Sequence, residues 1–352
     1  MAVNIGILGL AHGHVNAYLT QWQQNAAHDI AAVAAWDHDA TRLAKGVEQF
    51  GFAGCASAAE LLARPDIQGV MIAAETSLHA ELVVQAAAAG KMIALQKPMA
   101  LTLPEADRMV AAVTAAGVPF TLAWQMRVDP QNIAMKEMVQ NETLGKVYMV
   151  RRRHGLPSQL WDIASMWHFD PELNRDIWAD DSAHPIDFVH WLLGAPESVT
   201  AEVMSLRDPA APMDNGVALF RYPGGPLVQV DCSFTCVAAE NTTEIYCERG
   251  SIIQSFGDVP GCVAPRPAGD LGLKWYSQET KSWTYSDIPS PASHGARIAG
   301  LSGPLAEFFH GRRGPLATVE EGRTSLRIVL ATYVSTREGC RVALDDPRIA
   351  SV

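Results

Sequence analysis

Asp180 and His184 are a pair of residues that could handle a proton. They lie four positions apart, which puts both side chains on one face of a helix that begins early enough. There the carboxylate can orient the imidazole or raise its pKa. A structural alternative is equally open at this point: acids in a first helical turn cap its NH groups, and the histidine bonds to the backbone.

The segment from Gly9 to His14 could bind a dinucleotide. It reads Gly-Leu-Ala-His-Gly-His between an apolar run and a helical pattern, and it keeps the first glycine of GxGxxG. A tight turn that opens a helix can hold pyrophosphate at the helix N-terminus. Asp37 closes the next apolar run, where a carboxylate accepts hydrogen bonds from the adenosine ribose and repels a 2′-phosphate. This position favours NAD over NADP, against the alternatives of a plain turn and a turn aspartate.

Lys97 is a third candidate, since it directly follows the apolar run Met92–Leu95 and Gln96. In parallel α/β sheets, ligands lie beyond the carboxyl ends of the strands, so a lysine there points to the cofactor crevice. Pro98 ends the strand and gives the lysine side chain a defined direction. The alternative is an ordinary surface lysine.

The strands and helices predicted up to about residue 122 must position the nucleotide-binding turn and Lys97. Short apolar runs alternate with Ala-rich helical patterns, which is typical of βαβ units and a parallel sheet. Thr102 and Glu105 have the spacing of a capping box, and Gly117 marks the end of that helix. Strands are predicted at Asn4–Leu8, Ile30–Trp36, Gly69–Ala73, Met92–Leu95 and Pro119–Ala123, and helices at Val15–Gln24, Ala40–Phe50, Leu78–Ala89 and Leu103–Ala116.

From about residue 146 the pattern changes to closely spaced strands with hairpin-like turns, which predicts an antiparallel sheet. Thr318 and Glu321 have a second capping-box spacing, and the Pro- and Gly-rich residues 257–270 are predicted as a long loop. Strands are predicted at Lys146–Arg153, Ser198–Leu206, Val217–Tyr222, Leu227–Thr235, Thr242–Cys247 and Ser251–Phe256, and helices near residues 131–141, 182–193, 303–311 and 320–337.

Composition disfavours several classes of protein. Lys and Arg number 27 against 38 Asp and Glu, and the net charge of -11 would repel nucleic acid and anionic membranes. The 6 cysteines show no CxxC pair and no metal-ligand spacing, which indicates reduced thiols. We find no apolar run of the ~20 residues that span a membrane, and no basic region of a signal peptide. The sequence predicts a soluble, cytoplasmic protein without a metal site.

The chain resembles the Gfo/Idh/MocA oxidoreductases from end to end. Typical members read AGKHVLCEKPLALT where this chain has AGKMIALQKPMALT (Ala89–Thr102), and RF-x-P where Arg127–Pro130 stands here. Leu144–Val147 matches the first strand of the family's second domain, Trp191–Gly194 matches its WLLG, and Leu326–Glu338 is similar to its last helix.

The resemblance implies an α/β Rossmann domain with a parallel sheet, followed by an α+β domain with a large, mostly antiparallel open sheet. We expect the NAD-binding domain at residues 1–122 and a domain for substrate binding and oligomerisation at residues 123–352. An open antiparallel sheet with an apolar face needs a cover, and the resemblance implies a homodimer or homotetramer through this sheet.

The resemblance also implies a catalytic triad of Lys97, Asp180 and His184. Hydride leaves a carbinol carbon as its hydroxyl loses a proton, so a cation and a base must act on that oxygen. Lys97 then stabilises the alkoxide and His184 accepts the proton, while Asp180 orients His184 or holds a neighbouring substrate hydroxyl. The chain differs from the family at Gln96, the glutamate of EKP, and at Asn174–Asp176, a triple glycine in typical members.

Further contacts are predicted around this triad. Arg127 and three tryptophans are predicted substrate contacts, since flat indole faces suit a sugar ring, although a single tryptophan is more often a core residue. Trp191 is predicted as core, and Arg151–Arg153 as a solvated sheet face. The predicted tryptophan contacts are Trp161, Trp167 and Trp178, and the predicted cofactor contacts are Gly9, Ala11, His12, Gly13, His14, Asp37, Ala74, Thr76, His79, Gln96 and Lys97.

The predicted function is NAD-dependent transfer of hydride between nicotinamide and a hydroxyl or carbonyl carbon of a sugar, cyclic polyol or related compound. Two alternatives stay open. One is a redox-neutral enzyme with retained NAD, similar to glycosidases or epimerases. The other is a non-catalytic sensor that binds NAD or a sugar.

Overall fold

The structure is a computed structural model that describes residues 2–158, 166–207, 213–237, 241–256, 269 and 271–352. The chain forms two compact units: Met1–Gln125 with Gly295–Leu326, and Met126–His294 with Arg327–Val352. The sequence analysis places residues 295–326 in the second domain, whereas they pack with the first unit. The chain passes back to the first unit at residue 295, and hydrophobic periodicity cannot predict such a change because it reports only local structure. The roles assigned to the two domains stay a prediction.

Strands and helices alternate first, and strands then dominate. The strands are β1 Val3–Leu8, β2 Ile30–Trp36, β3 Ala53–Gly54, β4 Gly69–Ile72, β5 Met92–Leu95, β6 Phe120–Leu122, β7 Val147–Gly155, β8 Ser198–Met204, β9 Asn215–Arg221, β10 Leu227–Ser233, β11 Thr243–Cys247, β12 Gly250–Gln254, β13 Leu273–Ser277, β14 Ser282–Tyr285 and β15 Val342–Ala343. The helices are α1 His14–Gln24, α2 Ala40–Phe50, α3 Ala58–Leu62, α4 His79–Ala88, α5 Leu103–Ala116, α6 Pro130–Gln140, α7 Pro171–Asn174, α8 Ala183–Leu193, α9 His294–Ala299, α10 Ser302–Phe309 and α11 Val319–Glu338. A π-helix, Trp178–Ser182, directly precedes α8.

The first unit contains a parallel sheet in the order β3-β2-β1-β4-β5-β6. This is the strand order of a Rossmann fold, with its switch point between β1 and β4. Core strands such as β4 are buried at every residue, as expected of a sheet covered on both faces. The predicted Rossmann domain is therefore confirmed. Its predicted strands and helices begin and end within one residue of the observed boundaries. Only the short β3 and α3 were not predicted there.

Both predicted capping boxes are present. Thr102 accepts a hydrogen bond from the Glu105 NH at the start of α5, while the Glu105 carboxylate accepts from the Thr102 NH. Gly117 ends α5 with a φ of 63°. Thr318 and Glu321 make the same reciprocal pair at the start of α11. These local signals fix where the two helices begin.

The second unit contains a sheet of nine strands in the order β14-β13-β12-β11-β7-β10-β9-β8-β15. The predicted open, mostly antiparallel sheet is confirmed. One correction concerns β7 and β10, which pair in parallel. Hairpin turns indicate only how consecutive strands pair, and these two are far apart in the chain. Strands β13 and β14 were not predicted, and the predicted loop 257–270 lies outside the described residues except for residue 269.

The second sheet has one buried and one exposed face. Val150 and His154 of β7 are buried, whereas Tyr148, Arg151 and Arg153 of the same strand are not. Arg152 corrects the prediction of a solvated arginine run. It is fully buried, with its guanidinium 4.9 Å from the ring centre of Phe188 on α8. Among the described residues we find no helix with the length and hydropathy needed to cross a membrane.

Candidate functional site

The first candidate region lies at the switch point of the parallel sheet. Gly9 follows β1 with a φ of 84°, and a Cβ at this position would lie 2.4 Å from the Cα of Ala74. Only glycine accepts this backbone conformation and this close approach without strain. The His12 NH donates to the Ala73 carbonyl at 2.9 Å, so the turn after β1 is tied to the end of β4.

The turn leads directly into the N-terminus of α1. Gly13 is the N-cap, and it has no side chain that could cover the first NH groups of the helix. A Cβ at Gly13 would meet no atom within 4 Å. His12 is buried, and its ring centre lies 4.3 Å from that of His14, the first residue of α1. An α-helix N-terminus after a tight glycine turn fits a pyrophosphate group.

Asp37 lies at the end of β2 and is already engaged. Its Oδ2 accepts from the Leu10 NH at 2.7 Å, and its two oxygens accept from Arg42 Nε and Nη2, each at 2.8 Å. Arg42 Nη2 also donates to Glu75 Oε1 at 2.8 Å. His38 Nε2 lies 3.0 Å from Glu75 Oε2. The predicted ribose-binding acid therefore belongs to a cluster of charged residues, which we call the Arg42 cluster: Asp37, His38, Arg42 and Glu75.

His79 connects two loops at this edge of the sheet. Its Nδ1 lies 2.9 Å from the Pro98 carbonyl oxygen, and its Nε2 lies 3.1 Å from that of Ala74. Burial is the main reason that the pKa of His79 is lowered from its ordinary value, so the ring is neutral at pH 7. We therefore interpret His79, predicted as a cofactor contact, as a buried brace. Thr76 is also buried, in the turn just before α4.

Gln96 and Lys97 follow β5 at the same carboxyl edge. Gln96 is fully buried, and its Nε2 donates to the Tyr18 hydroxyl of α1 at 2.7 Å. The amide thus braces the first helix against β5. Lys97 is also buried, with 3% of its surface exposed, and a cis peptide bond joins it to Pro98. The alternative of an ordinary surface lysine is excluded by this burial.

The second candidate region is the π-helix before α8. The spacing argument predicts that Asp180 lies beside His184. In the structure, Asp180 Oδ2 lies 3.3 Å from His168 Nδ1, and Asp181 Oδ1 lies 3.7 Å from His184 Nε2, so a second carboxylate joins the predicted pair. Asp181 Oδ2 is also 2.7 Å from His154 Nε2. A π-helix, a feature frequent at functional sites, replaces the regular α-helix that the spacing argument assumed.

The π-helix is anchored to α11. Trp178 Nε1 donates to Thr332 Oγ1 at 2.9 Å, and the Tyr333 hydroxyl donates to Asp176 Oδ1 at 2.6 Å. Trp178 is fully buried and packs over Gly216, where a Cβ would lie 2.6 Å from the indole. This burial favours the alternative of a core tryptophan, and the substrate contact of Trp178 stays a prediction.

The other predicted substrate contacts differ in their burial and in their partners. Arg127 is buried and binds both oxygens of Asp187, with Nε to Oδ2 at 2.9 Å and Nη2 to Oδ1 at 2.8 Å. This pair joins the start of the second unit to α8, so we interpret Arg127 as structural. Trp167 is half-buried and stacks on His168 with ring centres 3.9 Å apart. Trp161 lies outside the described residues, and Trp191, predicted as core, is half-buried.

Sequence reasoning missed several residues of both regions. Arg42 lies five positions after Asp37, in the first turn of α2, and this acid–base spacing was a signal that could have found it. His154 offered no such signal, since it lies 27 positions before Asp181 on another element. Among the described residues we find no group of His, Cys, Asp and Glu that could hold a metal ion.

The switch-point turn, the open start of α1 and the acid at the end of β2 define a dinucleotide-binding fold. Residues 3–123 match the oxidoreductase-family model with an NAD-binding Rossmann fold, and residues 133–253 match the Gfo/Idh/MocA C-terminal domain. Together these matches cover more than half of the chain. It belongs to the Gfo/Idh/MocA oxidoreductase family.

Individual relatives share this architecture. The myo-inositol 2-dehydrogenase of Thermotoga maritima is 27% identical over 224 residues, 61% of this chain and 65% of that protein, which is less than two thirds of its length. The D-apiose dehydrogenase of Paraburkholderia graminis is 26% identical over 337 residues, 93% of this chain and 86% of that protein. A levoglucosan dehydrogenase, solved in complex with NADH and levoglucosan, shows the same fold: TM-score 0.82, 19% identity, 98% of this chain and 100% of that chain covered.

Proposed function

We propose that the chain is an NAD-dependent dehydrogenase that transfers hydride between nicotinamide and a hydroxyl or carbonyl carbon of a sugar, a cyclic polyol or a related compound. The observation that carries this proposal lies in the first unit. The Gly9 turn, the start of α1 and the buried Lys97 all follow parallel strands of one sheet, so they lie at its carboxyl edge. Relatives that act on a polyol and on a sugar support the substrate class.

The residues of the carboxyl edge fit NAD, which when bound supplies the hydride acceptor. Gly9, Ala11 and Gly13 leave the start of α1 open to the pyrophosphate. Asp37 and Arg42 act together at the adenosine ribose, because both Asp37 oxygens accept hydrogen bonds from the Arg42 guanidinium. The other proposed contacts are His12, His14, Ala74, Thr76, Gln96 and Lys97, with His79 acting through its brace between Ala74 and Pro98.

Lys97 and His184 carry the proposed chemistry. The Lys97 ammonium donates a hydrogen bond to the substrate oxygen and stabilises its developing negative charge. His184 accepts the hydroxyl proton as a general base. Asp180, held beside His168, binds a neighbouring substrate hydroxyl, and Trp167 offers its indole face to the C–H side of the ring.

Substitution of Lys97 tests this proposal. Wild type is titrated with NADH by fluorescence and assayed with NAD and myo-inositol, apiose or levoglucosan. We expect Lys97→Ala to lower kcat by about 10²-fold or more while NADH still binds, because an oxyanion donor acts mainly in the transition state. Lys45→Ala, an exposed lysine of α2, is the matched control. Absence of NADH binding by the wild type would contradict the proposal.

The same assays separate the two alternative functions. A redox-neutral enzyme would copurify with NAD and convert substrate without net formation of NADH. A sensor would bind ligand equally well as wild type, Lys97→Ala and His184→Ala, and none of the three would turn over any compound of the panel.

We also propose that a second copy of the chain covers the exposed face of the nine-stranded sheet. Val217, Leu219 and Leu227 are exposed on neighbouring strands β9 and β10. Arg151 and Glu244 form an ion pair on the same sheet, so the face carries both signs of charge and can complement itself. Light scattering should show an oligomer for the wild type and a monomer for Leu219→Glu. Thr280→Glu, in the exposed β13–β14 turn, is the control that should leave the mass unchanged.

A cytoplasmic location is proposed from the cysteines. The five cysteines within the described residues form no disulfide bond: Cys55, Cys232, Cys236, Cys247 and Cys340. Free thiols persist in a reducing compartment. Cell fractionation should recover the protein with cytoplasmic markers, and recovery from an oxidising compartment would contradict the proposal.

A further inference from the structure

The second unit contains a carboxylate that lies between two buried histidines. Asp181 Oδ2 is 2.7 Å from His154 Nε2, and Asp181 Oδ1 is 3.7 Å from His184 Nε2. The exposed fractions of the side chains are 1% for His154, 3% for His184 and 13% for Asp181. The two oxygens of one carboxylate therefore face two different imidazoles.

Three elements bring these side chains together. His154 projects from the buried face of β7, Asp181 belongs to the π-helix, and His184 lies in the first turn of α8. Such an arrangement does not arise from one local motif. A carboxylate with so little exposure needs partners, because burial of an uncompensated charge costs several kcal/mol.

Other ionisable groups nearby leave the carboxylate to the histidines. Cys232 of β10 lies in register with His154, and burial, followed by the charges of Asp231 and Asp181, raises the pKa of its thiol well above the usual value. The thiol therefore stays neutral. Other charged groups of these elements have partners of their own within the described residues: Asp180 with His168, Arg127 with Asp187, Arg152 with Thr243 and Gln254, Arg151 with Glu244, and Arg153 with Asp231.

We propose that Asp181 is the positioning residue for His184 and that His154 fixes Asp181 from the other side. This inference rests on the proposed function, in which His184 is the base. When the substrate O–H bond breaks, an N–H bond forms on His184 and a positive charge appears on its ring. Asp181 stabilises that imidazolium at ion-pair distance, and the short contact with His154 keeps the carboxylate aimed.

Histidine NMR tests the shared carboxylate without any substrate. The 13Cε1 signals of His154 and His184, two of the 11 histidines, are assigned with His154→Gln and His184→Gln. In Asp181→Asn we expect both signals to move when the spectra are compared at about pH 7, since each ring loses the carboxylate that faces it. Asp345→Asn, an exposed aspartate of the same unit, should move neither. A shift of only one signal, or of neither, overturns the inference.

Kinetics provide the second readout. In Asp181→Asn we expect kcat for oxidation to fall tenfold to hundredfold, part of the roughly 10²–10⁴ that a general base contributes. The acidic limb of the kcat/KM profile should move to lower pH, a change that misfolding does not produce. Asp181→Glu, which keeps the charge, should recover part of kcat, and His154→Gln should be intermediate.

A failure of the proposed function can be distinguished from a failure of the positioning role of Asp181. If the wild type oxidises none of the test compounds, the proposed function fails, and the NMR comparison alone decides whether the carboxylate is shared. If the wild type is active and Asp181→Asn keeps the wild-type pH profile, the positioning role fails while the proposed function stands.

Discussion

The two units hold their buried carboxylates with different partners. In the first unit, Asp37 and Glu75 share the guanidinium of Arg42. In the second unit, Asp181 lies between the imidazoles of His154 and His184. Both arrangements compensate buried negative charge, the first mainly with one guanidinium and the second with two imidazoles.

This difference separates binding from proton transfer. A guanidinium stays protonated at any pH a protein experiences, so the cation that holds Asp37 and Glu75 keeps its charge from pH 6 to pH 9. An imidazole changes its charge between about pH 5 and pH 8. We therefore expect cofactor affinity, assigned to the first unit, to depend little on pH, and turnover, assigned to the second, to depend on it strongly.

Replacement of His184 should have the largest effect. His184→Gln removes the proposed base but keeps a side chain of similar size, so we expect kcat to fall by about 10²–10⁴-fold. The Kd for NADH should stay within about twofold of wild type, because the cofactor residues belong to the first unit. Stopped-flow turnover and NADH fluorescence titration measure the two quantities. An equal loss of kcat and of affinity for NADH would contradict the assignment of proton transfer to the second unit and cofactor binding to the first.

Asp176 should make the stability of the second unit depend on pH. Burial raises its pKa to about 6, although the Tyr333 hydroxyl and the Ala179 NH donate to it. In the unfolded chain the pKa is about 4, so folding favours protonated Asp176, and this contribution is lost as pH rises through about 6. Relative to Asp176→Asn, which cannot ionise, the wild type should lose up to about 3 kcal/mol of unfolding free energy between pH 4 and pH 7.

Urea unfolding of both proteins at several pH values measures this difference. Tyr333→Phe serves as the companion variant, since it removes one donor and keeps the ring. A difference in unfolding free energy that stays constant from pH 4 to pH 7 would show that Asp176 does not titrate in this range.

The parallel sheet could be read from the sequence because its signals are local. Each core strand is a short apolar run, and α5 has its own capping box and a glycine stop, which need no knowledge of the rest of the chain. The same reasoning failed for β3, with two residues, since so short a strand has no measurable period. It also failed for residues 295–326, whose place in the first unit depends on tertiary packing.

The candidate site was predictable in its residue types and less so in its pairings. Lys97, Asp180 and His184 were named from position and family resemblance, and their roles stay a prediction. The contact of Asp181 with His184 was not foreseen, because the π-helix Trp178–Ser182 replaces the regular α-helix that the spacing assumed. His154 reaches Asp181 from a strand of the second sheet, and no sequence spacing encodes such a contact.

Arg42 provides a smaller test, in the first unit. Arg42→Ala removes the guanidinium that holds Asp37 and Glu75. Because 26% of the Arg42 side chain is exposed and solvent screens the contact, we expect the free energy of NADH binding to weaken by only about 1 kcal/mol. The Kd for NADH should rise about fivefold, by the same factor at pH 6.5 and pH 8.5. Arg64→Ala, which breaks the Arg64–Asp66 pair in the same unit, is the matched control. A factor that changes with pH would mean that the cluster is not held by a permanent charge.

His38 provides the smallest and sharpest test, because it is the one imidazole of the Arg42 cluster. It lies 3.0 Å from Glu75 Oε2, but 49% of its side chain is exposed, so water competes for this contact. Glu75 keeps Arg42 as a partner when His38 is replaced. We therefore expect His38→Asn to change the Kd for NADH by less than about twofold, with no pH dependence between pH 6 and pH 8. A larger, pH-dependent change would place a titrating group in the cofactor region and remove the distinction between the two units, since proton-linked behaviour would then occur in both.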